Sequence, residues 1–143
     1  MTELITVMVI VGILSAMVVP RFFDRNTFNS RGFYDQTIST LRYAQKVAIA
    51  QHRNVCVTYT LPAPGTITLR IASANGDASL CDTELTTSDG TVGYTITAPA
   101  GITFDALPAG FNFNALGRAS AAVVPITVGG YTINIDQETG YVH

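Results

Sequence analysis

The sequence predicts an α+β fold in which one long N-terminal helix, its first half in a membrane, packs on an antiparallel β-sheet. Three observations lead to this prediction. The chain opens with an uncharged apolar run, continues with apolar residues three and four positions apart, and ends with short segments of period two. At 143 residues, the chain has room for one compact domain beside such a run.

Composition narrows the class of protein before any motif is considered. Charged residues make up only 13% of the chain, about half the share in a typical soluble domain. The chain has eight basic residues, of which only Lys46 is a lysine, and ten acidic residues, so the net charge is −2. Because nucleic acids and acidic membrane surfaces attract clustered positive charge, neither is expected as the main partner. Nineteen threonines favour β structure and an exported protein.

The first element is a run of sixteen uncharged residues from Leu4 to Val19. As a helix it would span about 24 Å, slightly less than the ~30 Å hydrocarbon core of a bilayer. A signal peptide is one alternative, but no basic residue precedes the run and Glu3 stands there instead. A buried core helix is the other, but so small a domain could not cover a helix that is apolar on every face. The run therefore predicts a helix embedded in a membrane or among partner subunits. Its two hydroxyls, on Thr6 and Ser15, can bond to helix carbonyls.

A proline marks the end of this run. Pro20 should bend or locally melt a continuing helix, and charged residues from Arg21 onward mark the edge of the apolar layer. Residues 26–32 are polar and weakly helical, so we expect a break there. Asn29 or Ser30 would then cap the helix that follows.

A second, amphipathic helix is predicted over residues 33–52. Its end is expected near Asn54, with His52 and Arg53 close to the negative end of the helix dipole. The apolar stripe should cover one face of the sheet. The stripe consists of Tyr34, Ile38, Leu41, Ala44 and Ala48, with Ile49 at its margin.

From residue 55 to the C-terminus the pattern has period two, and segments rich in Gly, Pro, Asn and Asp separate the strands. Gly129-Gly130 is a two-residue hairpin signal. Because no helix-length connection separates the strands, the sheet should be antiparallel. The predicted strands are Val55–Leu61, Thr66–Ala72, Val92–Ala98, Ile102–Phe104, Phe111–Asn114, Pro125–Val128, Tyr131–Ile135 and Gly140–His143.

This plan and the opening residues resemble the type IV pilins and pseudopilins. Mature chains of that family begin Phe-Thr-Leu-x-Glu-Leu, after a short basic leader that prepilin peptidase removes. Met1-Thr2-Glu3-Leu4 is similar to the Leu-x-Glu-Leu of this motif with Met for the first Leu, so the printed sequence starts inside the motif. Gly12 and Pro20 follow Glu3 by nine and seventeen residues, as in the family.

Later segments resemble the GspH/FimT group of minor pilins, and the resemblance covers nearly the whole chain. The similar segments are Leu41-Arg42-x-Ala44-x-x-x-Ala48-Ile49, a first strand at Val55, Phe113-x-x-x-Gly117-Arg118 and Asp136-x-x-Thr139-Gly140-Tyr141-Val142.

The resemblance implies a transmembrane and assembly helix at residues 1–20 and a periplasmic or extracellular pilin domain at residues 21–143. The subunit would cross the bacterial inner membrane once and then join other pilin subunits in a type IV pilus or a type II secretion pseudopilus. Prepilin peptidase would cut and N-methylate it where a leader precedes Met1. Glu3 would pair with the N-terminal amine of a neighbouring subunit; alternatively, it is an acid stabilised by the helix dipole. The implied membrane-helix residues are Leu4, Gly12, Val19 and Pro20.

Cys56 and Cys81 are the only cysteines. In an exported domain such a pair predicts a disulfide, and the alternative is one buried and one exposed thiol. Zinc is not expected, because two cysteines without a nearby histidine make too few ligands.

No sequence motif points to catalysis. His52 and His143 accompany no nucleophile motif, phosphate-binding loop or HExxH, so we expect no enzyme, no cofactor and no metal. A DNA-uptake receptor or a pilus-tip adhesin is the alternative, but DNA binding would need several basic residues where only Arg118 follows Arg70. One run of acids could hold calcium but matches no ligand template, and we expect a solvated loop. It comprises Asp77, Asp82, Glu84 and Asp89.

Overall fold

The computed structural model describes residues 2–23, 25–61, 64–75, 80–87, 89–106, 108–120 and 125–143, with the backbone alone at 16–23, 25 and 26. It is an α+β structure, as predicted, with helices followed by antiparallel strands. Helix α1 spans Thr2–Phe23 and α2 spans Arg25–Gln51. The strands are β1 (Val55–Thr60), β2 (Thr66–Ile71), β3 (Thr83–Glu84), β4 (Tyr94–Thr97), β5 (Phe111–Phe113), β6 (Ile126–Val128) and β7 (Tyr131–Ile133).

The strands form two antiparallel sheets. In the main sheet β1 lies between β2 and β5, and the other edge of β2 pairs with β4 along Thr66–Leu69 and with β3 at Arg70 and Ile71. The second sheet is the hairpin β6–β7, in which Val128 lies opposite Tyr131. Gly129-Gly130 is therefore the predicted two-residue turn, and both glycines have the positive φ that its tight backbone requires.

Alternation along β1, β2 and β4 separates a core face from an outer face. Val57, Ile67 and Ile96 are among the side chains that face the core. On the outer face the register places two rows of three threonines side by side. We call this surface the threonine face; it comprises Thr58, Thr68 and Thr95 in one row and Thr60, Thr66 and Thr97 in the other.

Helix α2 covers the core face. Leu41, Ala44 and Ala48 of the predicted stripe are fully buried. Tyr34 and Ile38 are partly buried against the core, and the marginal Ile49 is 44% exposed. The buried residues of α2 that the stripe did not include are Ser30, Phe33, Thr37 and Thr40.

The predicted break at residues 26–32 is wrong, because α2 is continuous from Arg25. Ser30 is buried and lies against Gly129, where an added Cβ would come 2.6 Å from the Ser30 hydroxyl oxygen. Three residues later, the Phe33 ring packs 5.8 Å from that of Phe104. Tertiary contacts thus extend the helix through a segment whose own helix propensity is low.

The boundaries of other elements also differ from the prediction. Helix α2 ends at Gln51 rather than near Asn54, because His52 takes a left-handed conformation (φ 51°) typical of a helix C-terminus. The expected strands at 102–104 and 140–143 contribute only isolated bridges, Phe104 to Val128 and Val142 to Ile135. Strand β3 was not predicted, because the acidic pattern there resembles a connector.

Candidate functional site

The described side chains of α1, at residues 2–15, are all exposed. None of them belongs to the core, which α2 and the sheets build. A contiguous apolar surface of this kind marks a site of contact with a membrane or with other proteins. Among the described residues, no helix is both long and apolar enough to span a membrane. The exposed large apolar side chains of α1, at 55–69% exposure, are Leu4, Ile5, Val7, Met8, Val9, Ile10, Val11, Ile13 and Leu14.

Polar groups within α1 are satisfied by the helix itself. The Thr6 hydroxyl donates to the Glu3 carbonyl oxygen at 2.8 Å, and the Ser15 hydroxyl donates to that of Val11 at 2.7 Å. Both bonds were expected from the sequence. At Gly12 an added Cβ would meet nothing within 4 Å, so the helix has an open notch that another helix can approach closely.

Two of the predicted membrane-helix residues, Val19 and Pro20, lie outside the described side chains. The same applies to the bend expected at Pro20. The helical backbone continues through both residues to Phe23.

Glu3 is the one charged side chain among residues 2–15. It is exposed in the first turn of α1, where the helix dipole favours a negative charge. Within the described part of the chain, no hydrogen bond or ion pair engages its carboxylate. The geometry therefore leaves this carboxylate accessible to a cation from another molecule.

A disulfide joins Cys56 of β1 to Cys81, with their Cα atoms 5.9 Å apart. This bond is consistent with the predicted pairing. Cys56 lies opposite Arg70 on one side and Asn112 on the other, directly beyond the threonine face. The disulfide thus ties the segment that leads into β3 to the centre of the main sheet.

Acids of the predicted acidic run serve the loops that contain them. Asp82 accepts hydrogen bonds from the Ser73 backbone N–H at 2.9 Å and from its hydroxyl at 2.8 Å, which hold the pKa of Asp82 below its usual value. Hydrogen bonds from Thr87 and Thr91 lower the pKa of Asp89 in the same way.

The other two acids of this run are Glu84 and Asp77. Glu84 lies in β3 opposite Arg70, and Asp77 lies outside the described residues. The described part of the chain holds no cluster of three His, Cys, Asp or Glu side chains that could bind a metal ion.

The motifs near the C-terminus meet on α2. Gln45 donates to the carbonyl oxygens of Gly117 at 3.1 Å and Thr139 at 2.9 Å, and Arg42 donates to that of Val142 at 2.9 Å. We call these five residues the C-terminal clasp. Sequence reasoning named Arg42 only as part of a motif and did not single out Gln45, although their spacing of three places them on one side of the helix.

A turn at residues 136–140 shapes one half of the clasp. The Asp136 carboxylate accepts hydrogen bonds from the backbone N–H and the hydroxyl of Thr139, both at 2.8 Å, and these bonds lower the pKa of Asp136. The Gly140 N–H donates to the Asp136 carbonyl oxygen at 2.7 Å. The C-terminal motif residues therefore have a structural role in joining the chain end to α2.

The two histidines belong to different parts of the chain. His52 follows the last turn of α2, and His143 stacks on Tyr141 with ring centroids 5.3 Å apart.

Comparisons with protein-family models, with curated proteins and with solved structures found no match for this chain.

Proposed function

We propose that this chain is a structural subunit of a type IV pilus or a type II secretion pseudopilus, of the minor-pilin kind, and that it assembles through α1. The exposure of α1 carries the proposal, because residues 2–15 present exposed apolar side chains and none of them belongs to the described core of the domain that follows. Removing one such side chain from water is worth about 1.5–3 kcal/mol. Nine of them on one helix therefore give a strong drive toward burial among like helices.

Before assembly, a bilayer is the natural surroundings for this helix. The uncharged run Leu4–Val19 approaches the thickness of a hydrocarbon core, and we propose that it holds the subunit in the bacterial inner membrane as a single pass. The domain that follows would face the periplasm or the cell exterior. A disulfide between Cys56 and Cys81 suits an oxidising compartment of that kind.

Glu3 would set the axial register of the packed helices. A carboxylate that enters an apolar helix bundle costs several kcal/mol unless a cation pairs with it. The N-terminal amine of a neighbouring subunit is the cation that we propose, with Gly12 allowing the helices to approach closely. The other pilin subunits are thus the proposed partners, with prepilin peptidase acting first on any leader. The proposal includes no catalytic role and no cofactor.

The test measures incorporation of Glu3→Ala and Glu3→Gln into sheared filaments, in bacteria that assemble them. We expect both variants to fall about tenfold, which corresponds to about 1.4 kcal/mol per subunit. Thr2→Ala, in the same helical turn, is the matched control and should incorporate normally. Formation of the Cys56–Cys81 bond in each variant reports that the domain has folded. Normal incorporation of Glu3→Gln would remove the register role. Failure of the unaltered chain to enter filaments would remove the proposed function.

A further inference from the structure

We propose that Asn75 is a modification site, at which the side-chain amide becomes a carboxylate and the guanidinium of Arg53 assists the conversion and pairs with its product. Asn75 is exposed, in the segment that follows β2. The Arg53 Nε–H donates a hydrogen bond to the Asn75 Oδ1 oxygen at 2.9 Å. This inference goes beyond the proposed function and holds whatever partners α1 binds.

The residue that follows Asn75 distinguishes it from the other asparagines. The sequence contains seven asparagines, and only Asn75 precedes a glycine, Gly76. Deamidation of asparagine begins with attack by the next backbone nitrogen, which a side chain on that next residue hinders. Glycine has no such side chain, and its backbone reaches unusual conformations at low cost. Gly76 lies outside the described residues, so this step depends on its residue type. The residues after the other six asparagines are Thr27, Ser30, Val55, Phe113, Ala115 and Ile135.

The reaction consumes only water. The Gly76 nitrogen attacks Cγ of Asn75, a new N–Cγ bond forms as that nitrogen gives up its proton, and the Cγ–Nδ2 bond breaks as ammonia leaves. Water then opens the resulting succinimide ring at either of its two carbonyls. One opening yields aspartate and the other yields isoaspartate. Each conversion therefore adds one water, releases one ammonia and leaves one carboxylate.

Backbone hydrogen bonds hold Arg53 beside this segment. The Arg53 N–H donates to the Ala48 carbonyl oxygen at 3.2 Å, in the last turn of α2. The carbonyl oxygen of the next residue, Asn54, accepts from the Ala72 N–H at 2.9 Å. This bond joins the end of α2 to the chain that leads to Asn75. The half-buried Arg53 side chain thus meets the amide between two segments that the backbone already fixes together.

A cation at this position favours the transition state of the attack. Attack at Cγ places negative charge on Oδ1 of Asn75, and a donor that already points at this oxygen stabilises the charge. A hydrogen bond from an ionised donor is roughly twice as strong as one between neutral groups. At Asn114, by contrast, Oδ1 accepts from the backbone N–H groups of Leu116 and Arg118, which carry no charge.

The same cation would stabilise the product. Within the described residues, no carboxylate forms an ion pair with Arg53. The carboxylate of Asp82 accepts hydrogen bonds from Ser73, two residues before Asn75, and stays with that partner. A carboxylate at position 75 would therefore give Arg53 an ion partner where the amide oxygen now lies. The domain would carry one more negative charge at this end of α2.

Ageing of the oxidised, detergent-solubilised full chain at neutral pH tests the modification site. Peptide mapping by mass spectrometry follows the change from amide to acid at each asparagine, and enzymatic methylation detects isoaspartate. We expect Asn75 to convert faster than Asn112 or Asn134 by about tenfold or more, because the nitrogen after it can reach the attack geometry. Gly76→Ala should slow the conversion. Equal conversion at Asn75 and Asn134 would overturn the site.

Removing the cation tests the part assigned to Arg53. Arg53→Gln and Arg53→Leu should each slow conversion of Asn75 about tenfold, which corresponds to about 1.4 kcal/mol on the barrier. Arg118→Gln is the matched control, because it removes an exposed cation elsewhere in the domain, and it should leave the rate unchanged. Formation of the Cys56–Cys81 bond reports folding in each variant. An unaltered rate in the folded Arg53 variants would overturn the role of Arg53.

Discussion

The carbonyl oxygen of Gly117 occupies the space in which a side chain on Gly140 would have to begin. The two glycines lie 23 positions apart in the sequence and touch through their backbones. Gln45 holds the pair in place, since its side-chain amide donates both to the Gly117 carbonyl and to that of Thr139, the residue before Gly140. Two separate glycine motifs are thereby bound to one side chain of α2.

Gly140→Ala should therefore destabilise the domain strongly. Its φ of +67° would strain any L residue by about 1–2 kcal/mol, and the added Cβ would overlap the Gly117 carbonyl oxygen. We expect a total loss of about 3 kcal/mol or more, or roughly 10 °C in melting temperature. Near-UV circular dichroism of the detergent-solubilised chain would measure the loss.

Gly130→Ala is the matched control for this substitution. Gly130 has a comparable φ of +82°, but an added Cβ there would meet nothing within 4 Å. Gly130→Ala should lower the free energy of unfolding only by the cost of the left-handed conformation, about 1–2 kcal/mol. Equal losses at the two positions would show that the contact between Gly117 and Gly140 contributes nothing to stability.

Stability should depend on pH through Asp136. Hydrogen bonds from Thr139 lower the folded-state pKa of this carboxyl, so its contribution is fully present above the unfolded value of about 3.9 and is lost as pH falls through the folded value. Asp136→Ala should thus melt below the unaltered chain at pH 6, and the gap should close as pH falls below the unfolded value and through the lower folded one.

Glu138→Ala is the control for the pH series, because it changes an exposed acid in the same turn. Its carboxylate makes one exposed ion pair, at 3.5 Å from Arg118, and such pairs contribute little. A gap between Asp136→Ala and the unaltered chain that stays constant from pH 6 to below pH 3 would contradict the role of the Asp136 carboxylate.

The disulfide should be detectable and stabilising. Peptide mapping by mass spectrometry of periplasmically expressed protein is expected to show Cys56 linked to Cys81. Replacing both cysteines by serine should lower the free energy of unfolding by roughly 3 kcal/mol, because the bond restricts the unfolded chain. Two alkylatable thiols in the oxidised protein would exclude the bond, and an unchanged denaturant midpoint in the double variant would exclude its contribution.

The period and spacing of apolar residues and the positions of turn residues predicted most of the fold. The stripe residues Leu41, Ala44 and Ala48 and the Gly129-Gly130 hairpin are where the pattern places them. The break predicted at residues 26–32 failed because residues distant in sequence make contact there. Ser30 is helical because Gly129 covers it, although its own propensity favours a cap.

The candidate site also has one part that the sequence predicts and one part that it does not. A helix apolar on all sides is visible in the sequence, since nothing but its own composition defines it. The clasp is not visible, because Arg42 and Gln45 bind backbone carbonyls near the C-terminus, and a carbonyl has no sequence signature.

Removal of residues 1–25 should yield a soluble, cooperatively folding monomer. Every described core residue lies between Phe33 and Val142, and none belongs to residues 2–15 of α1, so the fragment keeps every buried apolar side chain that the structure describes. It retains α2 from Asn26, with Leu41 and Ala44 on the sheet. Light scattering after size exclusion should give the mass of one chain in plain buffer, whereas the full chain should require detergent or membrane.

A second truncation supplies the control for the first. A fragment that starts at Val55 lacks α2, which exposes the core face of the main sheet, including Val57, Ile67 and Leu69, and should aggregate. A fragment 26–143 that fails to unfold cooperatively would mean that α1 contributes to the domain. A full chain that is monodisperse and monomeric in plain buffer would mean that the apolar face of α1 is packed inside the molecule. In that case the exposed helix, which carries the assembly proposal, would not exist in solution.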